Sequence, residues 1–387
     1  MKGNKQALVP SNLGKFSCVA ADFPVDYKGM MNIEKTSDNL KDFDRDELQN
    51  LMKTLDEKPF HGKQIFAGLH KRCAASIHEM TDLPLKLREK LRDYEPLDLL
   101  IRAKSQTAPD GTTKALFRLR DGLGIETVWM PEDEHAVICL STQVGCPLDC
   151  TFCATGKMGF KRNLSAGEIV DQVILFRRLK PEIPIRNLVF MGMGEPLLNY
   201  ENLVKAIKIL SAADGAAISQ RRMTVSTAGI VPGIRRLAGE GLKVKLAVSL
   251  NAPTDELRNK LMPINKKYPI RELIEAATEF QKKNGHRITF EYALMPGVND
   301  TDEKMRALRN WLVRVPSKLN LIPLNPISPS DKVHADWDVI FDRFYKVFAK
   351  ERITLTLRRS RGAEIRAACG QLAVSHHPSE FSLRSKE

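Results

Sequence analysis

Three cysteines stand close together in the run Gly145-Cys146-Pro147-Leu148-Asp149-Cys150-Thr151-Phe152-Cys153. The C-x3-C-x2-C spacing puts three thiolates on one short loop. Three thiolates hold three irons of a cubane and leave the fourth open, as a substrate-activating cluster requires, whereas an electron-transfer cluster is normally closed by four cysteines. Zinc is the competing occupant, and a structural zinc site wants four closed ligands. Cys139 is the nearest fourth candidate, but it lies seven residues upstream inside a predicted strand, and His135 is a poorer one. Cys18 and Cys73 are isolated and read as structural or incidental.

The surrounding chain must place that loop. From residue 136 onward a strand–helix rhythm sets in. Strands are predicted over 136–141, 187–191, 223–226, 243–249, 287–294, 318–323 and 353–357. Helices are predicted over 166–179, 201–212, 254–261, 270–283, 301–313 and 337–350. Alternating β and α elements imply a parallel sheet, open or curled into a full or partial barrel, with chemistry at the carboxyl ends of the strands. The cysteine loop follows the first of these strands. Upstream, 114–119 and 124–130 flank Asp121-Gly122 and read as a hairpin. Residues 40–94 look helical, with Ile65, Phe66 and Leu69 at helical spacing between basic residues. The first forty residues show little periodicity and read as a loosely ordered arm.

Composition bounds the class. A hydrophobic fraction of 43% and a charged fraction of 28% are those of an ordinary globular chain with material for a core. The formal net charge of +13 suits a polyanionic partner, most often nucleic acid. No apolar run approaches the roughly 20 residues that span a bilayer, and 1–14 lacks the apolar centre of a signal peptide, so no membrane partner and a cytoplasmic location are expected. Seven cysteines in a chain this long do not make a secreted disulfide framework.

The cysteine triplet, with Phe152 just before its last member, resembles the signature of radical S-adenosylmethionine (SAM) enzymes. Gly192-Met193-Gly194-Glu195-Pro196, after the second predicted strand, resembles their GGE-type motif, whose backbone and carboxylate hold the SAM amino group. Further stretches are similar to the RlmN/Cfr family of RNA adenine methyltransferases: Ser141-Thr142-Gln143-Val144-Gly145-Cys146, Thr155-Gly156-Lys157-Met158-Gly159-Phe160, Ser249-Leu250-Asn251-Ala252-Pro253, Gly297-Val298-Asn299-Asp300, and Arg361-Gly362 with Ala367-Ala368-Cys369-Gly370-Gln371-Leu372. The similarity runs over roughly 50–375. Ser226-Thr227-Ala228-Gly229 departs mildly, because the family commonly has another small polar residue at Ala228.

The resemblance implies a radical SAM partial (β/α)6 barrel over 132–363. A helical RNA-binding accessory domain over 41–100, a β-hairpin linker over 101–131 and a C-terminal loop and tail over 364–387 complete the chain, behind the arm of 1–40. It implies a [4Fe–4S] cluster on Cys146, Cys150 and Cys153, with SAM on the open iron and contacts from Gly194, Glu195, Ser226, Ser249, Leu250, Asn251 and Asn325. The implied reaction methylates carbon 2 of an adenosine in 23S rRNA, and of one beside the anticodon in tRNA. Methylation at carbon 8, the Cfr-like activity that confers antibiotic resistance, is the alternative. Two SAM molecules serve each turnover: one methylates Cys369, and the other yields a 5′-deoxyadenosyl radical that activates that methyl group for addition to the base. Glu126 matches the family's proton acceptor. Cys139 matches the cysteine that attacks the sulfur of Cys369, leaving a transient disulfide for external reductant to reset. An external electron donor such as flavodoxin or ferredoxin is implied as a partner.

Overall fold

The computed structural model describes residues 39–327 and 335–374. Nearly all of the expected arm, Cys18 and most of the tail lie outside the described residues. Asp44 accepts hydrogen bonds from the amides of Asp46 and Glu47 while the Glu47 carboxylate reaches back to the Asp44 amide, a capping box that starts α1 (Arg45–Thr54). Helices α2 (Phe60–His70) and α3 (Leu85–Lys90) follow. Ile65, Phe66 and Leu69 are all buried, so the helical spacing in the sequence marks a core face.

A three-stranded antiparallel unit comes next: β1 (Leu100–Thr107), β2 (Thr113–Leu119) and β3 (Gly124–Pro131). The hairpin expected over 101–131 is thus one strand larger. No alternation marks β1 in the sequence, because Leu100 is its one buried residue and, apart from the part-buried Ala103, the rest is exposed. Nor does the unit stand apart, since β3 pairs antiparallel with the first barrel strand, β4 (Ala136–Cys139).

Beyond β4 a short ribbon, β5 (Gln143–Gly145) and β6 (Phe160–Asn163), brackets the cysteine loop and the single turn α4 (Ala154–Lys157). The alternation then runs α5 (Ala166–Leu179), β7 (Ile185–Phe190), α6 (Tyr200–Ser211), β8 (Met223–Thr227), α7 (Val231–Gly239), β9 (Lys245–Ser249), α8 (Asp255–Leu261), α9 (Ile270–Asn284), β10 (Ile288–Leu294), α10 (Asp302–Leu312), β11 (Ser317–Pro323), α11 (Trp337–Phe348) and β12 (Thr354–Leu357). Helix α7 carries no clear sequence signal, since nine residues holding Pro232, Gly233 and Gly239 score poorly as a helix.

The order across the main sheet is β1-β2-β3-β4-β7-β8-β9-β10-β11-β12, parallel from β4 onward. Six strands, β4 and β7 to β11, form the expected α/β partial barrel, and β12 adds a short seventh. The outward faces are apolar and covered by helices: Ile138, Leu188, Phe190, Val225, Leu246, Val248 and Phe290 are fully buried. The inward faces carry Cys139, Ser226, Ser249, Glu291, Asn320 and Thr356, small or polar groups that leave room for a ligand rather than fill a core.

The helical domain is joined to the barrel by buried charge. Lys41 Nζ lies 2.7 Å from Asp98 and 2.5 Å from Asp171 on α5, and neither the Lys41 nor the Asp171 side chain is exposed. Asp171 also accepts the amides of Leu99 and Leu100 at 2.8 and 3.1 Å. Asp42 accepts the Gly167 amide in the first turn of α5 at 2.6 Å. Among the described residues no helix is long and apolar enough to cross a membrane.

Candidate active site

The cysteine loop leaves the sheet at Gly145, whose φ is +75° and whose added Cβ would sit 1.7 Å from the Gly159 carbonyl oxygen; only glycine lets the β5–β6 ribbon close. The Cys153 amide donates to the Cys150 carbonyl at 3.1 Å, and the Thr151 amide to Leu261 at 3.0 Å, which pins the loop to the end of α8. Burial, with a smaller contribution from neighbouring cysteine sulfurs, pushes the Cys146 thiol up and the Cys150 thiol up to about 12. Crowded thiols of this kind ionise only when a cation takes the place of the proton. Among the described residues no three His, Cys, Asp or Glu side chains converge on one point, as a single tetrahedral ion would require. A cubane asks something else, one thiolate for each of three irons, and three part-buried cysteines on one loop fit that donor set.

Glu195 lies on the sheet side of this loop, buried to 3% exposure. Its amide donates to Gln143 Oε1 at 2.8 Å, while its carboxylate accepts the Leu197 amide at 3.1 Å and the Ala228 amide at 2.7 Å. Burial still pushes its carboxyl up to about 7. Gly194, at φ +97°, has no space for a side chain, since a Cβ there would lie 2.4 Å from that of Gln143. Ser226 and Ser249 face inward near the ends of β8 and β9. Leu250 is fully buried, and Asn251 adopts φ +56° so that its Oδ1 accepts the Ala293 amide of β10 at 2.8 Å.

One buried cation, for which no sequence signal was found, holds these strand ends together. Arg258 is unexposed and donates from Nε to Leu250 O at 3.0 Å, from Nη1 to Asn265 Oδ1 at 2.9 Å, and from Nη2 to Ala228 O at 2.6 Å and Ser249 O at 3.1 Å. Burial lowers its guanidinium to about 10, against the pull of Cys150 and Asp255.

Across the barrel mouth, Cys139 and Cys369 line one cavity of about 280 Å³ together with Val128, Val189, Met191 and Arg358. Both are free thiols. Cys139 ends β4 in register with Val128 and Val189, and burial pushes its thiol up to about 12. Cys369 is solvent-exposed as a residue because its loop forms the cavity mouth, yet the protein around its thiol raises it, and Arg358 partly offsets that. Asn325 Nδ2 donates to the Cys369 carbonyl at 3.1 Å, and the Ala154 amide donates to the Gly370 carbonyl at 2.7 Å, so the Cys369 loop rests directly on the cysteine loop.

Glu126 is not among the lining residues of this cavity but stands beside it, 6% exposed. Its Oε1 lies 2.8 Å from Lys114 Nζ, and its Oε2 accepts the Ala373 amide at 3.0 Å. Burial raises its carboxyl, and Lys114 opposes the rise. The fold thus makes two groups from the residues singled out in the sequence. The cysteine loop, Gly194, Glu195, Ser226 and Ser249 to Asn251 form one, and Cys139, Cys369, Asn325 and Glu126 the other. Arg258, Arg358 and Lys114 are the additions that no motif announced.

Comparison with known proteins bears on the whole chain. Residues 140–308 match the model of the radical SAM superfamily, and 38–95 match that of the ribosomal RNA large subunit methyltransferase N-terminal domain. The chain is 47% identical to the dual-specificity RNA methyltransferase RlmN of Anaeromyxobacter dehalogenans, over 90% of this chain and 95% of that protein. It is 44% identical to the RlmN of Geobacter sulfurreducens, over 86% of this chain and 91% of that one. The crystal structure of a radical SAM methyltransferase from Sphaerobacter thermophilus superposes with a TM-score of 0.82 at 43% identity, covering 86% of this chain and 98% of the other. Membership of the superfamily brings with it a [4Fe–4S] cluster and SAM. With its barrel, its N-terminal domain and near-complete relatives all in agreement, the chain belongs to the RlmN family of radical SAM enzymes.

Proposed function

We propose that this enzyme methylates carbon 2 of an adenosine in 23S rRNA and of an adenosine beside the anticodon in tRNA, through a methylated Cys369 and a transient disulfide with Cys139. The observation that carries this reading is the shared cavity of Cys139 and Cys369, with Glu126 tied to the same loop. Two near-complete relatives are named dual-specificity RNA methyltransferases.

Cys146, Cys150 and Cys153 hold the cluster; Gly194, Glu195, Ser226, Ser249, Leu250, Asn251 and Asn325 hold SAM. When bound, these groups supply the one-electron chemistry that carbon 2 demands, since that carbon lies between two ring nitrogens and has no lone pair to attack a sulfonium methyl. Cys369 first accepts a methyl group on sulfur, from the first of two SAM molecules used per turnover. Glu126 takes the proton from carbon 2 once the base is bonded to the Cys369 methylene. Cys139 then attacks the Cys369 sulfur, so the S–S bond forms as the S–C bond breaks, and the released methylene carbon takes up a proton to leave as the methyl group of the RNA. An external electron donor, of the flavodoxin or ferredoxin kind, drives the cycle, and reductant reopens the disulfide. Lys and Arg side chains of the N-terminal domain contribute RNA affinity through phosphate contacts, and the enzyme works in the cytoplasm.

The decisive variant is Cys139→Ala. It should still methylate Cys369 and bond to the base, but accumulate a covalent protein–RNA species on a denaturing gel; Cys369→Ala and the double variant should show none. Normal turnover by Cys139→Ala would sink the mechanism. Mass spectrometry of 23S rRNA and tRNA from a deletion strain should show 2-methyladenosine lost from both; loss of 8-methyladenosine instead would establish the Cfr-like alternative.

A further inference from the structure

The Cys369 loop is held at both ends by a single buried ion pair. Lys114 on β2 stands opposite Val128 of β3, and Leu116 stands opposite Glu126, so Lys114 and Glu126 are diagonal neighbours on the face that carries Val128 into the cavity. Their side chains are 10% and 8% exposed, with 2.8 Å between Nζ and Oε1. The same ammonium donates to the Arg366 carbonyl at 3.3 Å, three residues before Cys369. The other oxygen of Glu126 accepts the Ala373 amide at 3.0 Å, four residues after it. Arg366 adopts the left-handed φ of +56°, which a non-glycine residue keeps only under restraint, and its Nη2 donates to the Ile327 carbonyl at 2.8 Å.

We propose that Lys114 is a positioning residue for the methyl transfer, registering the Glu126 carboxylate and the two ends of the Cys369 loop against one another. The inference rests on the reading of Glu126 as proton acceptor and Cys369 as methyl carrier. A lysine suits the task because its three N–H groups serve a carboxylate and a carbonyl at once. Without the ammonium, Glu126 would be a buried carboxyl left with the Ala373 amide and the weaker pull of Arg366, and would hold a proton more readily. The loop would also lose its grip at Arg366, so the methyl group on Cys369 and the proton acceptor would no longer share a frame.

The experiment compares full-length, cluster-loaded Lys114→Met and Lys114→Arg with the parent, using a 23S rRNA fragment and a tRNA. Lys114→Met should methylate Cys369 to within about twofold of the parent by peptide mass spectrometry. Product release should fall roughly 100-fold, at the lower end of what a lost general base costs, and a covalent protein–RNA species should build up. Lys114→Arg should recover most of the product, because it restores charge and donors. Should Lys114→Met not fold, Lys114→Gln, polar but neutral, is expected to behave the same way. Normal turnover by the neutral variants, or failure of Lys114→Arg to rescue, overturns the proposal and leaves Lys114 a structural ion pair. Glu126→Gln separates the two levels: normal turnover by that variant removes the proton-acceptor reading itself.

Discussion

Replacing Arg258 by lysine keeps the charge and removes the planar fork. The guanidinium serves four acceptors on three segments: Leu250 O and Ser249 O at the end of β9, Ala228 O beyond β8, and Asn265 Oδ1. A lysine ammonium is a single point with three donors and cannot reach acceptors spread around a guanidinium. At least two of the four lose their partner, and each buried acceptor left bare costs about 1–3 kcal/mol. The folded state should therefore weaken by roughly 2–6 kcal/mol. SAM affinity should fall at least about tenfold, equivalent to 1.4 kcal/mol, because Ser249 and Leu250 present the proposed SAM contacts. Anaerobic urea denaturation of the apo-protein measures the first quantity, and SAM titration of the reconstituted enzyme the second. Arg271→Lys is the control: that side chain is 78% exposed, and a surface change of this kind stays within about 0.5 kcal/mol. If Arg258→Lys matched Arg271→Lys in both assays, the reasoning from buried acceptors would be refuted.

Replacing Cys146, Cys150 or Cys153 singly by alanine should abolish the brown colour, the four irons per chain and SAM cleavage together, read by anaerobic iron and sulfide analysis; an intact cluster in any of the three would remove that cysteine from the ligand set. His70 gives a pH signature. It is fully buried, neither ring nitrogen has a partner among the described residues, and burial lowers its imidazole from 6.5 to about 3. The unfolded chain therefore binds the extra proton between those values, so stability is complete above about pH 6.5 and declines as pH falls. At about pH 5 the loss is about 2 kcal/mol. His70→Leu should lack that increment in denaturation midpoints compared at about pH 5 and pH 8, and an unchanged difference would locate the acid sensitivity elsewhere.

Chemistry held in local spacing was legible in the sequence. The cysteine loop, the Gly194-Glu195 pair and the Cys369 neighbourhood each occupy a few consecutive residues, and the strand–helix alternation that carries them is equally local. Residues whose roles arise from pairing in space were not legible. Lys114 sits in an unremarkable strand, and its meaning comes from Glu126 two positions off register and from Arg366, some 250 residues away. Arg258 looks like an ordinary charge on a short helix, and only the convergence of β8 and β9 turns it into a buried tie. Strand β1 was missed for a related reason: its partner β2 and the sheet edge, not an apolar pattern, hold it extended.

The buried charges that join Lys41 to Asp98 and Asp171 also govern how the molecule comes apart. Pulling the helical segment off α5 would leave the buried Asp171 carboxylate without its ammonium, while Lys41 kept only Asp98, and would bare the amides of Leu99 and Leu100 as well. Breaking such a pair from one side costs roughly 3–5 kcal/mol before any apolar surface is counted. Partial detachment is therefore a sparsely populated state, and the N-terminal segment and the barrel melt as one cooperative unit. Substitutions at the residues buried beneath that segment are therefore answerable to the barrel's own stability.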